Sequence, residues 1–445
     1  MKTHDGRKSS LNSPRHAAAF LALFCTLLSL PTPAAPRAVV EQVATLVENN
    51  YFDATQAQSI AKDLRDANHT GRFDTLTDPR DLAAKLTARL QPLDSHFYVR
   101  WSPPEAPKSA RTSANAEGPS LSLETLERRN AYGFRSVEML PGAIGYIDMR
   151  SFADFSFNKP NEPARKAVEA ALTLVSNADA VIIDLRNNAG GSSTMVGYLV
   201  SAFTPAGANI YNEFHHRDRS ESERPKESYP NPRLNVPLYI LIGGRTASAA
   251  ESTAYTLQAA KRAILVGAVT AGAAHPGGEF PAGDNFFVFI STSTTVNPMT
   301  GANWEGVGVK PDVVVDPARA LERAEMLALE NILKSDQPEA AAVETRWTLE
   351  ALQAEASPAK GPPLADYVGT YAGAEISSEK GTLALRRGRR PPWTLVRIRN
   401  DVFCVKDEPF RRVLFERDTA RHITRFQLVR AGSASTWFLK AKTAP

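Results

Sequence analysis

Cysteine is nearly absent from this chain, whose 445 residues include only Cys25 and Cys404. So few cysteines exclude a disulfide scaffold of the kind that stabilises small secreted domains. Cys404 lies between Phe403 and Val405 in a strand-like run, and we expect it to be buried and unreactive. The HExxH, Cys-x-x-Cys and Walker-type motifs are also absent, so no metal or organic cofactor is expected.

The chain also lacks a strong charge of either sign, with a formal net charge of +4. It contains no zinc-finger, RNP or basic-helix pattern, and nucleic acid is therefore not an expected partner. A hydrophobic content of 43% and a charged content of 22% are typical of globular proteins. At about 100–200 residues per domain, the length indicates two or three domains.

No apolar run reaches the roughly 20 residues that a membrane-spanning helix needs. The run Ala17–Leu30 follows a basic stretch and precedes small residues, an order that predicts a cleaved secretory signal over 1–35 rather than a membrane anchor. Cys25 follows Phe24 in the middle of the run, which argues against a lipoprotein signal. The mature protein is expected to be exported, periplasmic or extracellular, without stable membrane insertion, and its oligomeric state stays open.

The sequence changes texture along its length. Residues 36–100 carry apolar side chains at helical spacing and predict a small helical domain, followed by a Pro-, Ser- and Ala-rich loop over 101–125. Strand-like and helix-like segments alternate through 126–335, which predicts an α/β core with a largely parallel sheet. Residues 336–362 are predicted to be a helix and linker, and 363–445 an antiparallel β domain of short strands.

Two segments of the predicted core complete this organisation. The apolar stretch FFVFIS, 286–291, is assigned to the same strand–helix alternation. The polar segment Gly207–Val236 is long for a simple connection, and we expect it to form a lid over a substrate.

The strongest local signal is a serine at a sharp turn. The apolar run Leu238–Ile242 meets two glycines, and a helix-like segment then opens at Ser248. A serine in this position exposes its hydroxyl beside the backbone N–H groups at the positive end of the helix. Ser248 is therefore a candidate nucleophile and the Ala249 N–H a candidate oxyanion donor, although an ordinary N-cap serine has the same pattern.

A second signal is the turn that ends the segment Asp184–Gly191, DLRNNAGG. Parallel α/β sheets bind ligands at the carboxyl ends of their strands. The N–H groups of Gly190 or Gly191 are candidates for stabilising an oxyanion there, and Asn188 is a candidate substrate contact. A plain tight turn is the alternative interpretation.

Candidate acid–base residues lie far from these turns in the sequence. Histidine is the usual base for a serine nucleophile because its pKa lies near neutrality. Ser95 and His96 form one motif-like pair, and His275 lies in a second motif-like stretch. Glu305, in a Gly-rich turn, is a candidate to orient the base or to bind a substrate amine.

In their order and spacing, four motifs together resemble the tail-specific (C-terminal-processing) serine peptidase family: LRNNAGG, TASAAE, RAILVG with TAG, and WEGVGVKPD. The resemblance covers roughly Val39–Leu333. Within the family, the chain is more similar to the branch that contains tricorn protease and interphotoreceptor retinoid-binding protein. The resemblance implies a ClpP/crotonase-like α/β core and a polypeptide substrate. The short segment 101–132 leaves no room for the PDZ domain that tail-specific members usually carry.

The resemblance also implies roles for individual residues. Tail-specific members place a lysine base where this chain has Ala273, so a Ser–Lys dyad is excluded at that position. The tricorn-like branch instead uses a Ser-His pair, a serine nucleophile and a glutamate, which Ser95, His96, Ser248 and Glu305 match in type and order.

These assignments imply an exported serine peptidase in which His96 is the base and Glu305 and Ser95 support it. His275 is a rival base and a candidate substrate contact, because it lies near the missing lysine. A non-catalytic protein that binds an apolar ligand on the same fold is the alternative. An α/β-hydrolase esterase is disfavoured, since Ser248 lacks the G-x-S-x-G pattern.

Overall fold

The computed structural model describes residues 36–103, 121–159, 161–379 and 381–441. The predicted signal peptide and most of the predicted 101–125 loop lie outside these residues. Within the described ranges, no helix has both the length and the apolar character needed to cross a membrane.

The α-helices of the described residues are Pro36–Asn50 (α1), Ala54–His69 (α2), Pro79–Leu90 (α3), Leu123–Arg129 (α4), Pro163–Leu174 (α5), Ser193–Ser201 (α6), Ala249–Ala259 (α7), Ala320–Ile332 (α8) and Glu339–Ala356 (α9).

The β-strands are Tyr98–Trp101 (β1), Phe134–Leu140 (β2), Ile144–Met149 (β3), Ala180–Asp184 (β4), Glu213–His215 (β5), Ser220–Ser222 (β6), Leu238–Ile242 (β7), Ile264–Gly267 (β8), Gly277–Pro281 (β9), Phe286–Ser291 (β10), Thr294–Val296 (β11), Val313–Val314 (β12), Gly369–Tyr371 (β13), Ala374–Glu379 (β14), Thr382–Arg386 (β15), Trp393–Arg399 (β16), Val402–Val405 (β17), Glu408–Arg417 (β18), Ile423–Arg430 (β19) and Thr436–Leu439 (β20).

The predicted helical region consists of α1, α2 and α3, packed through one apolar stripe on each helix. Asp53 and Asp78 cap α2 and α3 by accepting hydrogen bonds from backbone N–H groups of the first turn. The same hydrophobic cluster includes Phe286, Val288 and Ile290 of β10. The helices therefore pack directly against a strand that lies almost two hundred residues later in the sequence.

The assignment of FFVFIS to the parallel α/β layer is wrong. This segment is β10, which pairs antiparallel with β1 and β9 in a separate three-stranded sheet. Its side chains alternate between buried and half-buried along most of its length. That alternation is typical of an antiparallel strand with one covered face, whereas strands of a parallel sheet are buried on both faces.

The central sheet confirms the predicted α/β core. It has six strands in the order β12-β8-β7-β4-β3-β2, parallel except for the edge strand β2. Ile183 and Ile240 pack on one face against α5, α6 and α7. Ile182 and Leu241 pack on the other face against α8. Burial on both faces explains why β4 and β7 are continuous apolar runs.

The C-terminal region is an antiparallel sheet of eight strands, β13 to β20 in sequence order. A bridge between Tyr371 and Lys440 joins the first strand to the end of the last, so the sheet nearly closes on itself. Its interior is filled by side chains that include Tyr367 and Phe426. Cys404 is fully buried as predicted, and burial raises the pKa of its thiol to about 11.

The segment predicted as helix and linker, 336–362, contains the 18-residue helix α9. Arg412 of β18 is buried and donates from Nη2 to the backbone oxygen of Trp347 in α9 at 2.5 Å. Its guanidinium also lies over the Trp347 ring, 5.0 Å from the centroid. These contacts join α9 to the C-terminal sheet.

Candidate active site

Ser248 lies at the sharp turn between β7 and α7, as the sequence predicts. Its backbone has φ 52° and ψ −120°, outside the favoured regions for a residue with a side chain. Such a conformation persists only where neighbouring contacts hold it. Here the Ser248 N–H donates to Glu251 Oε2 at 2.8 Å, which fixes the turn at the first residues of the helix.

Glu251 is the residue that holds this turn, and sequence reasoning gave it no role. It is fully buried, and its carboxylate accepts three further hydrogen bonds: from Thr270 Oγ1 at 2.5 Å, Gly272 N at 2.6 Å and Ala273 N at 2.8 Å. The signal was present in the sequence, because serine followed three residues later by glutamate is the capping-box spacing. Glu251 thereby joins the serine turn to the segment 270–275.

The glycine turn lies directly beside the serine. A Cβ on Gly190, whose φ is +111°, would lie 2.8 Å from Ser248 Cβ, so only glycine fits this approach. The Gly190 N–H donates to Asn188 Oδ1 at 2.9 Å. Among the described residues the N–H groups of Gly191 and Ala249 have no hydrogen-bond acceptor, and both residues line the cavity that contains Ser248.

Asn188 organises this turn from within the protein. It is completely buried, and its Nδ2 donates to the Met149 backbone oxygen at 3.0 Å. Its own backbone oxygen accepts from Ala247 N at 3.0 Å, which ties the glycine turn to the serine turn. Both polar atoms of its side chain are thus used inside the protein.

The predicted histidines come together around a carboxylate that sequence reasoning missed, Asp94. His96 Nδ1 lies 2.8 Å from Asp94 Oδ1, and the His96 N–H donates to the same oxygen at 2.9 Å. His275 Nδ1 lies 3.3 Å from Asp94 Oδ2. The Asp94 side chain is only 2% exposed. The only hint in the sequence was the Asp-x-His spacing, and nothing local distinguishes it from an ordinary turn.

Glu305 completes the group. Its Oε1 lies 3.6 Å from His96 Nδ1, and its Oε2 lies 3.8 Å from His275 Nδ1. Oε2 also accepts from Ala274 N at 2.6 Å. We call Asp94, His96, His275 and Glu305 the histidine–carboxylate cluster. Each contributes one ligand-type atom, and these atoms all lie within 4.8 Å of one another, a spacing that could hold a metal ion.

Opposing effects set the charges in this cluster. Burial alone would raise the pKa of Asp94, but hydrogen bonds from His275 and His96 outweigh it and hold the pKa well below its usual range. Burial alone would lower the pKa of His96, but its hydrogen bond with Asp94 and the charge of Glu305 raise the pKa above the ordinary value. Asp94 therefore stays ionised, and it stabilises the protonated form of His96.

Two interactions implied by the sequence, support of His96 by Ser95 and pairing of Ser248 with a histidine, are not direct contacts in the structure. Ser95 is exposed, and its side chain forms no hydrogen bond with any described residue. Likewise, within the described ranges no hydrogen bond joins the Ser248 hydroxyl to a histidine ring. The segment 270–275 links the two groups, since Glu251 binds its middle and Glu305 binds Ala274.

A cavity of about 250 Å³ opens at Ser248. Phe214, His216, Glu221 and Glu223 line one side of it, and all four belong to the segment predicted to be a lid. This segment is ordered by β5 and β6, which form a three-stranded sheet with β11. It contributes the two carboxylates of the cavity.

Of the residues on this side of the cavity, Glu223 is unusual because it is a carboxylate that is only 5% exposed. Its Oε2 accepts from Ser252 Oγ at 2.5 Å and from Asn212 Nδ2 at 3.1 Å. Burial nevertheless raises the pKa of Glu223 to about 7. The His216 ring and the Glu221 carboxylate line the same cavity.

Replacing Glu223 with glutamine should flatten part of the pH dependence of stability. Because the folded-state pKa of about 7 lies above the ordinary 4.5, the folded state binds more protons in this interval, and the unfolding free energy falls as the pH rises through it. The unfolding free energy of E223Q minus that of the wild type should therefore increase by about 3 kcal/mol between pH 4 and pH 8. Urea unfolding at both pH values measures the difference.

Glu221→Gln is the matched control. The substitution removes the same charge from the same side of the cavity, but the Glu221 side chain is 56% exposed. This variant should show little of this change. An equal change in both variants would mean that the effect comes from the total charge of the cavity and not from burial of Glu223.

Two family models match parts of the chain. Residues 143–315 match peptidase family S41, and residues 30–131 match the N-terminal domain of peptidase S41 in eukaryotic IRBP. The residues left between the two matches are too few for a PDZ domain.

Two curated relatives are carboxyl-terminal-processing enzymes. A carboxy-terminal-processing protease of Bartonella bacilliformis is 26% identical over 175 residues, covering 39% of each chain. A chloroplastic carboxyl-terminal-processing peptidase 2 of Arabidopsis thaliana is 28% identical over 221 residues, covering 46% of this chain and 40% of its own. The chain thus spans about two fifths of the length of these relatives.

Among solved structures, a lipoprotein from Streptococcus agalactiae is similar to this chain with a TM-score of 0.45 and 17% identity, over 67% of this chain and 98% of its own. The two family matches cover the helical region and the central sheet, the same parts that carry the histidine–carboxylate cluster and Ser248. Residues 30–131 and 143–315 belong to peptidase family S41.

Proposed function

We propose that the chain is an exported serine peptidase that hydrolyses polypeptides through Ser248. The observation that carries this proposal is the strained serine turn itself. It presents Ser248 to a cavity together with two N–H groups, of Gly191 and Ala249, that have no acceptor among the described residues. Open donors of this kind, fixed before the reaction, are what a developing oxyanion requires.

The reaction begins at the Ser248 hydroxyl. Ser248 Oγ attacks the carbonyl carbon of the peptide bond while His96 Nε2 accepts the hydroxyl proton. The N–H groups of Gly191 and Ala249 bind the oxyanion of the tetrahedral intermediate. His96 then gives the proton to the leaving amine, and water hydrolyses the acyl-enzyme by the same route in reverse order.

Asp94 supplies the orientation that His96 needs. With Nδ1–H donated to Asp94 Oδ1 at 2.8 Å, the neutral ring keeps its lone pair on Nε2, and the carboxylate stabilises the imidazolium that forms. We therefore assign the supporting role chiefly to Asp94. Glu305, predicted for this role along with Ser95, adds a second negative charge 3.6 Å from the same nitrogen.

His96 is favoured over His275 as the base. Its contact with Asp94 is shorter, 2.8 Å against 3.3 Å, and the pKa of His96 is raised by its surroundings. We propose that His275 borders the substrate site, beside Ala273 and Ala274 of the cavity wall. Asn188 and Gly190 are proposed to position the oxyanion donors, since the Asn188 side chain and the Gly190 N–H are already paired.

Export is part of the proposal and depends on the signal-like sequence of residues 1–35. The alternative, a protein that binds an apolar ligand, gains no support from the cavity at Ser248, because two glutamates and a histidine line it. The carboxyl-terminal-processing activity of the relatives makes chain termini the first substrates to test.

A fluorophosphonate probe tests the nucleophile directly. The mature chain, beginning near residue 36, should be labelled at Ser248, and S248A and H96A should abolish labelling because they remove the nucleophile and its base. Intact-protein and peptide mass spectrometry identify the labelled residue. His422→Ala is the matched control and should be labelled like wild type, because this histidine lies in the turn between β18 and β19 and its side chain is 81% exposed.

Three results would change the assignment. Absence of wild-type labelling would contradict an activated serine, and labelling at another serine would move the site. Loss of labelling in His275→Ala with retention in H96A would transfer the role of base to His275.

A further inference from the structure

We propose that the histidine–carboxylate cluster is a divalent metal site that takes Zn²⁺, and that zinc bound there switches the peptidase off. The metal site stands on the geometry of the cluster alone. The inhibitory effect rests on the proposed peptidase function, in which His96 is the base.

The spacing of the donor atoms fits a tetrahedral ion. His96 Nδ1 lies 2.8 Å from Asp94 Oδ1 and 3.6 Å from Glu305 Oε1. His275 Nδ1 lies 3.3 Å from Asp94 Oδ2 and 3.8 Å from Glu305 Oε2. With one ligand atom taken from each residue, all the separations stay within 4.8 Å. Zinc with bonds of about 2.0–2.1 Å has its tetrahedral ligands roughly 3.3–3.4 Å apart. These four nitrogen–oxygen separations lie within about 0.5 Å of that range. Small rotations that turn one oxygen of Asp94 and one of Glu305 towards both imidazoles would close the site around an ion.

The donor types select among metals. Two imidazole nitrogens with two carboxylate oxygens are ligands that zinc accepts in a four-coordinate site. Magnesium and calcium prefer all-oxygen sites, and soft metals such as Cu(I) prefer thiolate. Cys404, which could offer a thiolate, is buried in the C-terminal sheet.

The charge of the cluster also favours a dication. Asp94 and Glu305 are 2% and 20% exposed at their side chains, and within the described ranges their only ion-pair partners are His96 and His275. With both rings neutral, the cluster carries two negative charges and no lysine or arginine to balance them. A single Zn²⁺ would neutralise both carboxylates in a site where uncompensated charge is costly.

Backbone and packing contacts hold the ligands of the cluster in place. Glu305 Oε2 accepts from Ala274 N at 2.6 Å, and Asp94 Oδ1 accepts from His96 N at 2.9 Å. The His275 ring packs against Phe52, with centroids 4.8 Å apart. Such contacts orient metal ligands before binding and commonly change metal affinity 10–100-fold.

Metal binding and general-base catalysis compete for His96. The free ring carries its proton on Nδ1, donated to Asp94, and its lone pair on Nε2. A zinc ion coordinated by Nδ1 needs the lone pair there, so the ring proton moves to Nε2. Nε2 can then no longer accept the Ser248 proton, and Asp94, drawn to the ion, no longer orients the ring. Zinc therefore blocks the first step of the reaction.

The metal site is tested without activity, on the mature S248A chain after treatment with a chelator and dialysis. Titration calorimetry with Zn²⁺ should give one ion per chain, and Co²⁺ should develop the intense visible absorption of a tetrahedral complex. His275→Ala and Glu305→Gln in the same background should each weaken binding at least tenfold. His216→Ala, a cavity histidine outside the cluster, should bind like the parent.

Binding weaker than millimolar, or binding that His275→Ala and Glu305→Gln leave unchanged, would overturn the site. Circular dichroism and thermal melting of each variant show that it is folded, and Glu305→Gln keeps the shape of the side chain if His275→Ala is unstable.

The inhibitory effect is tested on the wild-type chain with the fluorophosphonate probe. Labelling of Ser248 should fall over the zinc concentrations that saturate the site and return when a chelator is added. Labelling that is unchanged or increased at saturating zinc would overturn the switch. Absence of labelling in metal-free protein would instead contradict the peptidase proposal, and the calorimetric result would still decide the metal site.

Discussion

Replacing Asp94 with asparagine should lower kcat for peptide hydrolysis by about 10⁴-fold, the size of the effect that the same change has in a Ser-His-Asp triad. An asparagine amide that donates to His96 Nδ1 leaves the ring proton on Nε2, so the ring cannot take the proton of Ser248. The Asp94 side chain is only 2% exposed. Because asparagine has nearly the same size, the cluster should keep its packing.

The measurement is kcat on a peptide that the wild type cleaves, with thermal melting to compare the folds. Asp81→Asn, at an exposed position in the first turn of α3, is the control and should keep wild-type kcat. If D94N retained wild-type kcat, Asp94 would not orient the base, and Glu305 would be left as the carboxylate closest to His96 Nδ1.

Replacing Glu251 with glutamine should abolish labelling of Ser248 and lower the unfolding free energy by roughly 2–6 kcal/mol, at about 1–3 kcal/mol for each donor left without an acceptor. Each carboxylate oxygen accepts two hydrogen bonds, Oε1 from Thr270 and Gly272, and Oε2 from Ser248 and Ala273. Glutamine turns one of these oxygens into an NH₂ group that faces two donors. The strained turn at Ser248 then loses either its direct contact with residue 251 or the contacts with Thr270 and Gly272 that hold residue 251 in place.

Urea unfolding gives the free energy, and the fluorophosphonate reaction gives the state of the serine turn. Glu322→Gln, a partly exposed glutamate in the first turn of α8, removes the same charge and should leave both readouts near wild type. A stable, fully labelled E251Q would show that the turn does not depend on this carboxylate.

The parts of the fold that follow local rules were predictable. Helical periodicity gave α1 to α3, and buried apolar runs gave β4 and β7 of the parallel sheet. The serine turn was visible because a strand, two glycines and a helix start are adjacent in the sequence. The order of four motifs indicated the family, and the two family matches confirm that resemblance.

What local patterns could not give is pairing across long distances. β10 joins β1, with Phe286 opposite Trp101, and an isolated apolar run does not specify its partner strand. Asp94 and His275 are 181 positions apart and meet only because those strands pair. Glu251 was overlooked for another reason: a glutamate beside a catalytic motif looks like a solvated helix residue until its burial is known.

The pairing of β1 with β10 has a consequence for the protein while it is being made. The proposed base, its partners and the proposed nucleophile span residues 94 to 305. Strand β1, which directly follows Asp94 and His96, pairs within the described ranges only with residues 286–289 of β10. Contacts between such distant residues form late and only once the intervening chain is available. The proposed base His96 precedes the proposed nucleophile Ser248 in the chain, but β1, which follows His96, lacks its partner strand until residues 286–291 have been made. Under this proposal the site therefore assembles only after most of the chain is complete.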